Sequence, residues 1–245
     1  MVQPSKKRIF SDFEYANAGA IISEDMSKCS LILGIKEVPV EKLMAGKTMM
    51  YFSHTIKAQK DNMPALDAIL ANNIRLIDYE KITDEENNRL IAFGKYAGIA
   101  GALDFFKAFG EYIMMKGIST PFLHCHPAYK YFSIEEAYQH LKRVGDQIKE
   151  KQIPQELSPM IWAVTGRGRT AKGCYEVINN FPVTHIKQED VKKIWADREN
   201  PEHCKTIYVV NVNTEDCIVP LDPQAKFDKQ DFYKNPSKYT CNFGE

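Results

Sequence analysis

The chain has 245 residues, enough for one large domain or two small ones with cores of their own. Its 44% hydrophobic and 26% charged residues are ordinary for a globular protein, and 32 Lys and Arg balance 32 Asp and Glu. That balance leaves no net field to hold nucleic acid or an anionic membrane surface, and no apolar run approaches the ~18–20 residues of a membrane span. The start, "MVQPSKKRIF", lacks the apolar centre of a signal peptide, and the cysteines at 29, 125, 174, 204, 217 and 241 have no paired spacing. The expectation is an intracellular, soluble protein with reduced thiols.

In chain order, "CSLILGIKEVP" (29–39) reads as a strand that ends at Gly34, Lys36 and Pro39. "TMMYFS" (48–53) is a second strand, closed by His54 and Thr55. "NMPALDAILANN" (62–73) carries Leu66, Ile69 and Leu70 at helical spacing, and "IRLIDYE" (74–80) follows as a third strand. Strand, helix, strand predicts a βαβ alternation and a parallel sheet. Open parallel sheets bind ligands beyond the carboxyl ends of their strands. Lys36, Glu37, His54, Lys57, Asp78 and Glu80 are therefore predicted to gather at one rim, material for general acid–base chemistry. The plainer alternative is a set of exposed strand-end charges.

"RLIAFGKYAGIAGALDFFKAFGEYIMMKG" (89–117) is helical, with Gly94, Gly98 and Gly101 permitting a close approach to another backbone ahead of any ligand contact. "TPFLHCHPAYKYF" (120–132) breaks the pattern with two prolines. Its His124-Cys125-His126 has no second ligand pair at finger spacing, so no metal site is expected. Ser133 and Glu136 form the capping-box pattern of a helix over 133–150. "KQIPQELSP" (151–159) reads as a linker, giving domains over 1–150 and 160–245.

"MIWAV" (160–164) is a buried-strand run and "AKGCYEVINNF" (171–181) a helix, with "TGRGRTAKG" at their junction. Strand, glycine turn, helix is the context of a dinucleotide fingerprint. Gly166 permits the tight turn, Gly168 admits the pyrophosphate, Ala171 is the small third position and Gly173 allows close helix–strand packing. The helix N-terminus adds N–H groups for the phosphates. Gly173 and Cys174 follow Lys172 where a Walker loop has Ser or Thr. An ordinary tight turn is the alternative. The next strand, "VTHI" (183–186), ends without an acid for a ribose 2′-hydroxyl. His185 and Lys187 stand there, with Arg167 and Arg169 in the turn; unless all four are solvated surface charges, they favour NADP over NAD.

Taken together, "AGAIISEDMSKCSLILGIKEVPVEKLMAGKTMMYFSHTIKAQ", "LIDYEKI", "AFGKYAGIAGALDF", "VTGRGRTAKG" and "YKNPSKYTCNF" resemble the saccharopine-forming lysine–ketoglutarate reductases. More distantly they are similar to saccharopine and alanine dehydrogenases. The resemblance implies an α/β chain of two Rossmann-like parallel-sheet domains, a substrate-binding one and an NAD(P)-binding one. It also implies that lysine condenses with 2-oxoglutarate to an imine, which NADPH reduces to saccharopine, with NAD left open. By resemblance Lys36 and His54 are the catalytic proton carriers, with burial and crowding by Lys57 drawing the Lys36 pKa down. Glu37, Lys57 and Glu80 are substrate-binding, and Gly166, Gly168, Arg169 and Gly173 are cofactor-binding.

Against the family pattern the chain reads as shortened at both ends. The second domain is then incomplete and an apolar sheet edge lies open. Two further readings stay open: a catalytically incomplete lysine- or nucleotide-binding remnant, and an alanine-dehydrogenase-like enzyme. The implied partners are the small molecules lysine and 2-oxoglutarate, with no nucleic acid and no membrane. Self-association or a missing partner domain also stays open. The resemblance favours a mitochondrial setting over a cytoplasmic one.

Overall fold

The computed structural model describes residues 1–242. The chain divides into two compact units, Met1–Ala92 and Phe93–Glu245.

The first unit opens with α1 (Asp12–Asn17), capped by Ser11, and holds β1 (Leu31–Leu33), β2 (Thr48–Tyr51), α2 (Met63–Ala71) and β3 (Arg75–Asp78). Pro64 sits in the first turn of α2, where a missing N–H costs nothing. Asn73 ends the helix in a left-handed conformation (φ 51°), and the next N–H, of Ile74, bonds back to Ile69 O at 3.0 Å. The strands form one parallel sheet in the order β1-β2-β3, so their carboxyl ends share an edge. Met49, Tyr51, Ile69 and Ile74 form the core beneath it. The ladder runs on past β1, with Gly34 N bonded to Met50 O at 2.9 Å and Phe52 N to Ile35 O at 3.0 Å.

The second unit contains α3 (Gly94–Met115), α4 (Ile134–Lys151), β4 (Met160–Thr165), α5 (Arg169–Ile178), β5 (Val183–Ile186), α6 (Gln188–Ala196) and β6 (Ile207–Val212). After them come α7 (Thr214–Cys217), β7 (Ile218–Pro220), α8 (Lys229–Lys234) and β8 (Tyr239–Cys241), with β7 and β8 antiparallel. The main sheet is parallel in the order β4-β6-β5. Phe106, Phe122, Trp162 and Phe181 cluster with ring centroids 4.7 Å apart at their nearest, and Leu141, Val144, Ile148, Ile207 and Val209 complete the core. This core explains why the division falls at Ala92/Phe93 and not at the expected 151–159 linker: α3 and α4 bury their apolar faces with the second sheet.

Glycines set the helix packing. A Cβ on Gly98 would sit 2.0 Å from Thr170 O, and one on Gly173 would sit 2.0 Å from Lys95 O, so α3 and α5 cross with their backbones in contact. Gly94 follows the same face, while Gly101 has nothing within 4 Å. The expected close approach is thus real at 94 and 98. Gly173, expected to pack helix on strand, packs helix on helix instead, because its bare face meets α3. The Ser133 capping box is only half formed. Ser133 Oγ accepts from Glu136 N at 3.1 Å, but the Glu136 carboxylate accepts from Phe132 N at 2.8 Å.

Candidate active site and nucleotide-binding turn

The shared edge of β1, β2 and β3 brings four of the expected residues together. His54 Nε2 lies 3.3 Å from Glu37 Oε1, and its Nδ1 lies 3.4 Å from Glu80 Oε2. Each residue comes from the segment after a different strand, so the imidazole ties three strand ends together. Glu80 is only 2% exposed in its side chain, and its Oε1 pairs with Arg89 at 2.9 Å and Lys57 at 3.9 Å. A buried carboxylate needs such partners. The His54 contact is not aligned as a hydrogen bond, which leaves Glu80 Oε2 without a hydrogen-bond partner inside the protein. His54 itself adopts a left-handed backbone (φ 54°), an uncommon conformation for a side-chain-bearing residue and one that recurs at functional sites.

Asp78 and Ser53 hold this geometry in place. The Ser53 hydroxyl donates to Asp78 Oδ2, accepts from Thr55 N at 3.2 Å and lies 2.8 Å from the Thr55 hydroxyl. The other Asp78 oxygen accepts from Glu80 N at 2.8 Å. Asp78 therefore links the turn carrying His54 to the turn carrying Glu80. Phe52 stacks near the imidazole (centroids 6.2 Å apart, 18° between planes) and meets Tyr79 edge-on at 5.1 Å.

Lys36 does not join them. It lies exposed after β1 and forms no ion pair among the described residues, so the burial and crowding expected for it are not observed. Arg89 does join, although nothing in the polar stretch "TDEENNR" distinguished it from loop charge. A bridge between Thr83 and Arg89 folds that stretch back on itself, bringing the guanidinium to Glu80.

In the second unit the turn after β4 is bare main chain. Gly166 takes φ +83°, a conformation favouring glycine, and a Cβ on Gly166 or Gly168 would meet nothing within 4 Å. Gly168 is the N-cap of α5, whose first N–H groups lack intrahelical acceptors and carry the positive end of the helix dipole. Open space, a glycine-only turn and a helix N-terminus fit a pyrophosphate. Asn211 fixes the turn from β6: its amide donates to Val164 O at 3.1 Å and to Gly166 O at 2.8 Å, and Gly166 N donates to Val212 O at 2.8 Å.

The strand beside the glycine strand is β6, whereas the sequence reading placed "VTHI" there. β4 pairs with β6 in parallel over six residues, and β5 lies on the far side of β6. His185 and Lys187 are therefore two strands from β4, and the His185 Nε2 is 3.0 Å from Asn179 Oδ1. The residues at the β6 end are Asn213, Thr214 and Glu215. Arg167 meets them, its Nε donating to Asn213 Oδ1 at 2.7 Å and an Nη donating to Glu215. The "NTED" capping pattern after an apolar run was the readable sign of this strand end. The open edge of β4 borders an apolar cavity of about 550 Å³, lined by Gly98, Phe105, Trp162, Thr165, Thr170 and Cys174 among others.

Elsewhere, burial pushes the Cys125 thiol up to about 12. Among the described residues no group of three or more His, Cys, Asp or Glu is arranged to hold a metal, and no helix is long and apolar enough to cross a membrane.

Residues 1–100 match the family model "Alanine dehydrogenase/PNT, N-terminal domain". The whole chain is similar, at 37% identity, to 24% of the "Alpha-aminoadipic semialdehyde synthase" of Arabidopsis thaliana. Over 99% of its length it is 35% identical to 26% of the "Alpha-aminoadipic semialdehyde synthase, mitochondrial" of Mus musculus. A "Saccharopine dehydrogenase [NAD(+), L-lysine-forming]" of Emericella nidulans is 28% identical over 78% of this chain and 52% of its own. A solved L-alanine dehydrogenase superposes with a TM-score of 0.46 at 13% identity, over 84% of this chain and 49% of that one. By sequence, then, the first hundred residues match the alanine dehydrogenase/PNT N-terminal domain, and the chain as a whole spans about a quarter of the α-aminoadipic semialdehyde synthases it resembles.

Proposed function

We propose that this chain takes part in the reductive condensation of L-lysine with 2-oxoglutarate to saccharopine, with NADPH as the reductant. The observation that carries the reading is the imidazole of His54 held between Glu37 and Glu80 at the common end of three parallel strands. The lysine ε-amine must lose a proton before it attacks the ketone, and the carbinolamine hydroxyl must gain one before water leaves. An imidazole flanked by carboxylates can carry both protons in turn. Glu37, nearly half exposed, is positioned to meet a substrate ammonium, and Glu80 orients the ring through Nδ1. Lys57, paired with Glu80, is the cation offered to a substrate carboxylate. Lys36, exposed on the first strand's rim, is proposed as the second proton carrier.

Gly166, Gly168, Arg169 and the α5 N-terminus would hold the pyrophosphate of the nucleotide, and Gly173 seats α5 against α3. A bound NADPH supplies the hydride that reduces the imine. The similarity to synthases called mitochondrial in mouse, rat and cattle supports a mitochondrial setting. NADPH oxidation that requires lysine and 2-oxoglutarate together tests the reading. Oxidation supported by ammonia and pyruvate in their place overturns it in favour of a smaller amino-acid substrate.

A further inference from the structure

The Arg167 guanidinium is exposed yet engaged on two sides, by Asn213 at Nε and by Glu215 at Nη. Asn213 is itself fixed, since Asp216 Oδ2 accepts from its backbone N at 2.7 Å and from its Nδ2 at 2.9 Å. All these acceptors follow β6, the strand paired with β4 and one inter-strand spacing of about 4.8 Å from it. Where a glycine turn follows one strand of a parallel sheet, the adenosine ribose of a dinucleotide lies over the end of the neighbouring strand. On the proposed nucleotide reading of the turn, the ribose 2′ position therefore comes to Arg167, Asn213 and Glu215, not to His185 and Lys187.

Resting on that reading, we infer that Arg167 receives the 2′-phosphate of NADPH and that Glu215 is the competing carboxylate setting the preference for NADPH over NADH. A 2′-phosphate carries about −1.5 to −2 charges at neutral pH and three strong acceptors. Against it stands one exposed carboxylate, whose pairing with an exposed arginine is weak and easily exchanged. Asn213 keeps its hold on Nε while the Nη edge changes partner, so the guanidinium stays aimed during the exchange. With NADH no phosphate arrives, and Glu215 remains on Arg167.

Adenosine 2′,5′-diphosphate and ADP probe the ribose end alone. Calorimetric titration of the full chain compares them on the wild type, Arg167→Gln and Glu215→Gln; both side chains are exposed, so neither change disturbs the core. The wild type should bind 2′,5′-ADP about tenfold or more tighter than ADP, with the margin shrinking as salt rises. Arg167→Gln should erase the margin while ADP affinity stays within about twofold, and Glu215→Gln should widen the margin several-fold by removing the competitor. Equal wild-type affinity for the two probes, a margin that survives Arg167→Gln, or a Glu215→Gln effect that is absent or shared by both probes overturns the inference alone. Failure of the wild type to bind either probe overturns it together with the nucleotide reading of the turn.

Discussion

His54 Nδ1 lies 3.4 Å from Glu80 Oε2, joining the end of the second strand to a carboxylate that is 2% exposed. Because Glu80 also holds Arg89 and Lys57, removing its charge unpairs a cluster. Glu80→Gln should cost on the order of 1–3 kcal/mol in urea denaturation, since an amide cannot satisfy the same donors. Glu37→Gln, at a nearly half-exposed site, should cost less than about 1 kcal/mol. Equal losses would show that Glu80 does not anchor the rim.

The α3–α5 crossing makes three glycines behave differently. Gly98→Ala and Gly173→Ala each drive a methyl into a carbonyl oxygen 2.0 Å away and should destabilise by about 1–3 kcal/mol or more. Gly101→Ala, with nothing within 4 Å in the middle of α3, should instead stabilise by about 0.5–1 kcal/mol through backbone entropy. Thermal melts of the three variants separate the outcomes. A stabilising Gly98→Ala would contradict the crossing.

These contrasts also mark what was readable in the sequence. The strand–helix–strand order of residues 29–80 is enough to place Glu37, His54 and Glu80 at one edge, because parallel strands must end together. The glycines of α3 announced a close contact, and "TGRGRTAKG" announced a bare turn. The order of strands in space was not readable. β5 follows β4 in the chain, yet β6 takes the place beside β4, and a single sequence does not say on which side a crossover lands. The same gap hid Asn213 and Glu215. Arg89 was hidden differently, because its role depends on a bridge within a polar stretch that carries no apolar periodicity. Lys36 was expected buried from its apolar neighbours, but the strand ends before it and leaves it exposed.

The glycine turn separates conformational cost from ligand contact. Gly166→Ala puts a side chain at φ +83° and should cost about 1–2 kcal/mol whatever the space around it. Gly168→Ala, at φ −75° with open space around it, should leave stability nearly unchanged. If the turn holds phosphate, Gly168→Ala still weakens ADP binding about tenfold or more, because the methyl occupies the ligand's place. An unchanged ADP affinity in a stable Gly168→Ala protein would remove the turn from the nucleotide site.

His140 sets a pH dependence. Burial is the main cause lowering its pKa below the ordinary 6.5, with His126, Arg143 and His124 adding to it and Glu136 opposing. Its ring nitrogen Nδ1 lies 2.9 Å from the Tyr131 hydroxyl. The unfolded chain therefore takes up this proton first, so the contribution of His140 to stability is complete above pH 6.5 and declines as pH falls below it. Melting temperatures between pH 7.5 and 5 should fall less steeply for His140→Asn than for the wild type. Identical slopes would show that another group governs the acid limb.

The most direct test is to quantify saccharopine by mass spectrometry after mixing the chain with NADPH, lysine and 2-oxoglutarate. Wild-type protein should form saccharopine only when all three are present. His54→Gln and Lys36→Met should form almost none while binding NADPH as tightly as before. Saccharopine formed at the wild-type rate by His54→Gln, or none formed by the wild type itself, would contradict the proposed role of the rim.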